Sequence, residues 1–139
     1  MSVRKATSKW TGTLKEGKGT MNFSDYSGPY TYKSRFEEGE GTNPEELVGA
    51  AHSGCYSMFL AALISEENLV PGFVETIATV YLKRDETGPV ITTIELSCRV
   101  KCEGLSRERF QELAAVAKEK CPVSRLVSAA EIRLAAELL

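Results

Sequence analysis

The sequence predicts an α+β fold: one domain, residues 1–139, in which antiparallel sheets pack around two main helices in the order βββ-α-ββ-α-β. Three observations carry this reading. Period-two alternation over 73–83 and again over 90–102 marks two long strands, and a helical pattern with a strong start signal opens at Asn43. A second capped, amphipathic pattern opens at Ser106. The chain has 139 residues, 42% hydrophobic and 26% charged, enough for one modest core.

Taken in order, three short extended segments are expected first, at 8–14, 19–23 and 30–36, parted by Gly17 and by the turn cluster Ser27-Gly28-Pro29. At Asn43 the pattern changes. Asn43 is a good N-cap, Pro44 suits the first helical position, and Glu46 stands where its side chain can bond back to the cap. The helix should run to about residue 67, because Leu47, Ala50, Ala51, Cys55, Met58, Ala62 and Ile64 recur at helical spacing before Pro71-Gly72 closes it. Its middle is unusually small. Gly49 and Gly54 each cost about 1 kcal/mol against alanine in a helix interior, so they point to close packing or to room left beside Cys55.

The strands at 73–83 and 90–102 are joined by 84–89 as a hairpin, with Ile94, Leu96, Cys98, Val100 and Cys102 on one face. Cys98 and Cys102 therefore read as packing residues. After Ser106, the residues Phe110, Leu113, Ala114 and Ala117 form a buried stripe, and Lys118 and Lys120 complement the helix C-terminus. Cys121 ends that helix. Pro122 can begin a new turn over 122–127, which would set Cys121 at a helix start. The tail, 130–138, alternates as a closing strand.

Charge and composition exclude several functions. With 17 basic and 19 acidic residues spread along the chain, no basic face is expected for nucleic acid and no polybasic segment for a membrane. No apolar run is expected to reach the ~20 residues that span a bilayer. Four cysteines without a secretory signal read as reduced thiols of a cytoplasmic protein. One histidine and no Cys-x-x-Cys make a metal site a poor expectation.

What remains is a thiol, an acid and a cation. Cys55 and Cys121 are either two small core residues, the usual fate of an intracellular cysteine, or a redox pair. Arg35, expected on a strand before the helix, would lower the Cys55 pKa if it stood close, although nothing local ties the two together. His52 precedes Cys55 by three positions and shares its helix face, yet reads more readily as a satisfied core or interface histidine. Glu46 has a capping role and Glu45 has none. Ten residues separate Glu45 from Cys55, about 15 Å along a straight helix. If both serve one site, the helix is broken or a second subunit supplies one of them.

The runs Gly41-Thr42-Asn43-Pro44-Glu45-Glu46-Leu47, Ala51-His52-Ser53-Gly54-Cys55 and Cys121-Pro122-Val123-Ser124, with Arg35-Phe36-Glu37 before them, resemble the OsmC/Ohr family, and more the OsmC branch of osmotically inducible proteins than the organic hydroperoxide resistance branch. The element order fits that family over essentially the whole chain. Ser53-Gly54 departs from the small alanines more usual there, and Cys98 and Cys102 are additional thiols.

The resemblance implies an intertwined homodimer with sites at the subunit interface. It implies a thiol peroxidase reducing organic hydroperoxides to alcohols, with Cys55 as peroxidatic and Cys121 as resolving cysteine. Arg35 and Glu45 would hold the reactive thiolate, no cofactor would be needed, and an external dithiol, such as a lipoylated protein, would be the reductant. Tyr56, Met58, Phe59 and Leu60 around Cys55 would suit an alkyl or lipid hydroperoxide, or belong to the core. The rival readings are a noncatalytic stress-induced binding or structural protein, and a redox sensor that passes its disulfide to a partner.

Overall fold

The computed structural model describes all 139 residues, Met1 to Leu139, which form two compact units, Met1–Leu47 and Val48–Leu139.

The first unit is a meander of three antiparallel strands, β1 (Thr7–Thr11), β2 (Lys18–Phe23) and β3 (Tyr26–Tyr30), in the order β1-β2-β3. Trp10 lies opposite Gly19, which in turn lies opposite Tyr30. A Cβ on Gly19 would stand 2.6 Å from the Tyr30 ring and 2.7 Å from the Trp10 ring, so only glycine fits between the two aromatics.

The third expected strand is corrected. Extended backbone covers Tyr26–Tyr30, and the stretch that holds Arg35 is a short helix, α1 (Tyr32–Phe36). Thr31 starts it with a reciprocal capping box: the Ser34 N–H donates to the Thr31 hydroxyl, and the Thr31 N–H donates to the Ser34 hydroxyl. That local bonding outweighs the strand propensity of the tyrosines.

Helix α2 (Pro44–Glu66) runs unbroken for 23 residues. Asn43 caps it, since the Glu46 N–H donates to Asn43 Oδ1 at 2.8 Å. The Glu46 carboxylate accepts from the Thr42 hydroxyl at 2.8 Å, one residue short of the predicted bond back to the cap. By length and composition α2 qualifies as a membrane span, contrary to the sequence expectation. Its alanines raise hydropathy along with Leu47, Val48, Phe59, Leu60, Leu63 and Ile64, and one face is buried in the second unit's core.

That face is Gly49, His52, Tyr56, Leu60 and Ile64. It corrects the predicted stripe: only Ile64 is shared, Cys55 is half-buried, and Met58 is 79% exposed. A helix apolar nearly all round gives periodicity little to choose between. Gly49 is tightly placed, with an added Cβ only 3.3 Å from Val80, whereas one on Gly54 would meet nothing within 4 Å.

The second unit is built on β4 (Phe73–Asp85), β5 (Gly88–Lys101) and β6 (Glu131–Leu138), in the order β4-β5-β6. β4 and β5 form the expected hairpin with a tighter turn than predicted, through Glu86 and Thr87, and a register shift between Tyr81 and Leu82. β6 pairs with β5 in parallel, unlike every other strand pair. The long crossover that a parallel pair needs is supplied by helices α3 (Arg107–Lys120) and α4 (Pro122–Leu126). The core gathers Tyr56, Leu60 and Ile64 of α2, Ile94, Leu96, Cys98 and Val100 of β5, and Phe110, Leu113, Ala114 and Ala117 of α3. The last four are the predicted stripe.

Candidate active site

In the first unit, Arg35 on α1 and Glu45 in the first turn of α2 form a forked ion pair. Arg35 Nη2 donates to Glu45 Oε1 at 2.8 Å and Nε donates to Oε2 at 3.2 Å. Two parallel bonds orient both groups, which a single contact would not. The Arg35 guanidinium also lies 5.1 Å from the Phe36 ring centroid, a cation–π contact. Glu45, given no structural role by the sequence, thus holds Arg35. Beside the pair is a recess of about 390 Å³ lined by Trp10, Leu14, Tyr30, Tyr32, Arg35 and Phe36.

In the second unit, Cys55 and Cys121 are free thiols on α2 and at the α3–α4 junction. Burial raises the Cys55 pKa, the Val123 N–H bonding to its sulfur opposes that, and a hydrogen bond and charge effect from Cys121 raise it further. The two thiols are therefore near enough to perturb one another, and the net direction is upward. Tyr56, next in the chain, is fully buried, and its hydroxyl donates to the Ala114 carbonyl at 3.2 Å. Together with Leu60 it belongs to the core; neither lines a substrate recess.

Cys121 is itself the N-cap of α4: the Ser124 N–H donates to Cys121 Sγ at 3.3 Å. The Cys121 thiol donates to Ser124 Oγ at 3.3 Å, and that hydroxyl is bonded to His52 Nε2 at 2.8 Å. All three side chains are within 2% of full burial. His52 is the core histidine that the sequence favoured, but it connects to Cys121 through Ser124 and makes no couple with Cys55. Its Nδ1 has no partner, and burial lowers its pKa. Sequence reasoning missed Ser124. A signal existed, since a cap residue followed three positions later by a hydroxyl is a capping pattern.

Of the four predicted site residues, the structure thus joins Arg35 to Glu45 and Cys55 to Cys121. No cluster of three or more His, Cys, Asp or Glu side chains is suited to a metal ion.

An α+β fold with a long unbroken helix and a parallel closing strand is the class this architecture defines. The model for the OsmC-like protein family matches residues 37–137, and the chain belongs to that family. It is 40% identical over 131 residues to peroxiredoxin OsmC of Escherichia coli K12, covering 91% of this chain and 90% of the relative. It is 34% identical over 91 residues to the organic hydroperoxide resistance protein OhrB of Bacillus subtilis, covering 64% and 65% of the two chains. The crystal structure of OhrB superposes with a TM-score of 0.67 at 26% identity, over 97% of this chain and 98% of that one. An OsmC-like protein of Mycoplasma pneumoniae gives 0.78 at 12% identity, over 99% and 98%, a likeness of fold alone.

Proposed function

We propose that this protein is a cysteine-based peroxidase that reduces organic hydroperoxides in a cytoplasmic stress response. The observation that carries it is the proximity of two free thiols, Cys55 and Cys121, on separate elements of one core, each near enough to perturb the other. Relatives named peroxiredoxin and organic hydroperoxide resistance protein support the same reading. The Cys55 thiolate attacks the distal oxygen of the hydroperoxide, the O–O bond breaks, and the alkoxide leaves and takes a proton as alcohol. Cys55 is left as a sulfenic acid. Cys121 displaces its hydroxyl to form a disulfide, which an external dithiol, such as a lipoyl group, reduces by exchange.

Burial disfavours the Cys55 thiolate, so the reaction needs a cation and a confined acid near it. Arg35, oriented by Glu45, is that group. Because Glu45 and Cys55 lie ten residues apart in one unbroken helix, the pair is contributed by a second copy of the chain, in a homodimer. The aromatic recess beside Arg35 then receives the organic part of the substrate, favouring an alkyl or aryl hydroperoxide over hydrogen peroxide. The family match crosses both compact units, which supports treating residues 1–139 as one functional domain.

The test is turnover of cumene hydroperoxide with dihydrolipoamide. Cys55→Ser is expected to abolish it, and Cys121→Ser to consume one equivalent and stop. Normal cycling of Cys55→Ser overturns the reading. One observation favours a noncatalytic protein: the raised Cys55 pKa is what a merely packed thiol shows. In that case hydroperoxide would leave Cys55 unmodified in the native protein.

A further inference from the structure

The buried chain Cys121–Ser124–His52 is more than packing requires. A buried histidine with one nitrogen unpartnered costs about 1–3 kcal/mol, and an apolar residue of similar size would avoid that cost. The other nitrogen is spent on a serine whose hydroxyl touches only one further reactive group, the Cys121 sulfur.

The direction of the bonds is informative. With the thiol donating to Ser124 Oγ, the serine hydroxyl is free to donate to His52 Nε2 in the tautomer that carries the ring proton on Nδ1. This is a continuous path from a thiol proton to a vacant base. Burial keeps that base neutral and able to accept. The titratable groups that feel Cys121 are Cys55 and Tyr56, and neither bears a positive charge.

We propose that Ser124 and His52 form a proton relay that activates Cys121 for the resolving step, Ser124 acting on the sulfur and His52 positioned behind it. This rests on the peroxidase reading. As Cys121 Sγ attacks the Cys55 sulfenic sulfur, the thiol proton passes to Ser124 Oγ and the serine's own proton to His52 Nε2. The S–S bond forms, the S–O bond breaks, and the departing hydroxide takes one proton to become water. The proton held on His52 is the equivalent one, lost as the imidazole returns to neutrality. No oxidant is involved beyond the hydroperoxide that made the sulfenic acid. The device assigns different activation to the two thiols: Cys55 by an external cation, Cys121 by an internal base.

Single-turnover kinetics with cumene hydroperoxide separate loss of the Cys55 thiol from formation of the disulfide. In Ser124→Ala and in His52→Gln the ratio of the second rate to the first is expected to fall about 100-fold at pH 7, the usual worth of a positioned base. The deficit should shrink as pH rises, where hydroxide removes the thiol proton without the relay. A merely structural role would not produce that pH dependence. An unchanged ratio and pH profile in both variants overturn the relay, whereas a wild-type Cys55 that ignores hydroperoxide overturns the peroxidase reading instead. The chain's single histidine gives a second readout in the reduced protein. Its ring-nitrogen NMR signals should shift in Cys121→Ala and stay fixed in Cys98→Ala, and insensitivity to Cys121→Ala counts against the relay.

Discussion

Four cysteines share one core, yet Cys98 on β5 and Cys102 just beyond its end differ in kind from Cys55 and Cys121. Burial does not separate them, since Cys98 and Cys121 are both essentially inaccessible, at 1% and 0% exposure. Connection does. Cys98 stands between Leu96 and Val100 on the inward face of β5; burial raises its pKa, and its single polar contact, a hydrogen bond with Thr76 on β4, opposes that. Cys121 caps a helix, bonds to a serine and lies near a second thiol. At equal depth, the number and kind of polar contacts is what distinguishes Cys121 from Cys98.

The sharpest way to break this contrast is to exchange the fates of the two kinds. Cys98→Ala should leave hydroperoxide turnover within about twofold, while Cys55→Ser should reduce it to background, since only the thiolate is the nucleophile. If Cys98→Ala proved equally damaging in a folded protein, the division would collapse. A smaller loss is expected from Arg35→Met. An adjacent opposite charge shifts a pKa by about 1–3 units, so the reaction of Cys55 with cumene hydroperoxide at pH 7 should slow by at least about tenfold. Glu45→Gln, which removes the charged half of the fork, should give part of the same loss.

Stability measurements sharpen the contrast from the packing side. Leu60→Ala, on the buried face of α2, should cost about 2–5 kcal/mol in urea unfolding. Met58→Ala, on the exposed face, should change stability by no more than about 0.5 kcal/mol at high dilution. A larger, concentration-dependent loss at Met58 would place a second copy there.

The smallest effect concerns His52. Its folded pKa lies below the 6.5 of an ordinary histidine, so between those values the unfolded chain binds more protons than the folded one. Stability is full above 6.5 and is lost as pH falls through the folded pKa. Urea midpoints for the wild type should drop from pH 7.5 to pH 5 more than those of His52→Gln, and equal drops would mean that His52 is not held neutral.

Much of the fold was legible because local signals agreed. Asn43, Ser106 and Pro122 each mark a helix start that the structure keeps, and the inward face of β5 follows from simple alternation. Two features were not legible. Tyr30 to Phe36 has strand propensity, but Thr31 and Ser34 bond to one another and make a helix of the part carrying Arg35. In α2, apolar residues surround the axis, so the buried face was settled by long-range packing against Ala78 and Val80. Of the candidate site, the motifs pointed to Cys55, Cys121, Arg35 and Glu45, which the structure brings together as two separate pairs. The bond between His52 and Ser124 joins residues 72 positions apart, and no local pattern encodes it.

The parallel closing strand has a consequence for the order of folding. β5 pairs at once with β4 through a two-residue turn, whereas its other edge waits until α3 and α4 have formed and brought β6 alongside. Until then Cys98, destined to face Ala136, stands on an open sheet edge. An edge of that kind, with its backbone groups unpaired, can pair with another chain. Amide exchange along Glu131–Leu138 would therefore measure how often the finished protein returns to that vulnerable state.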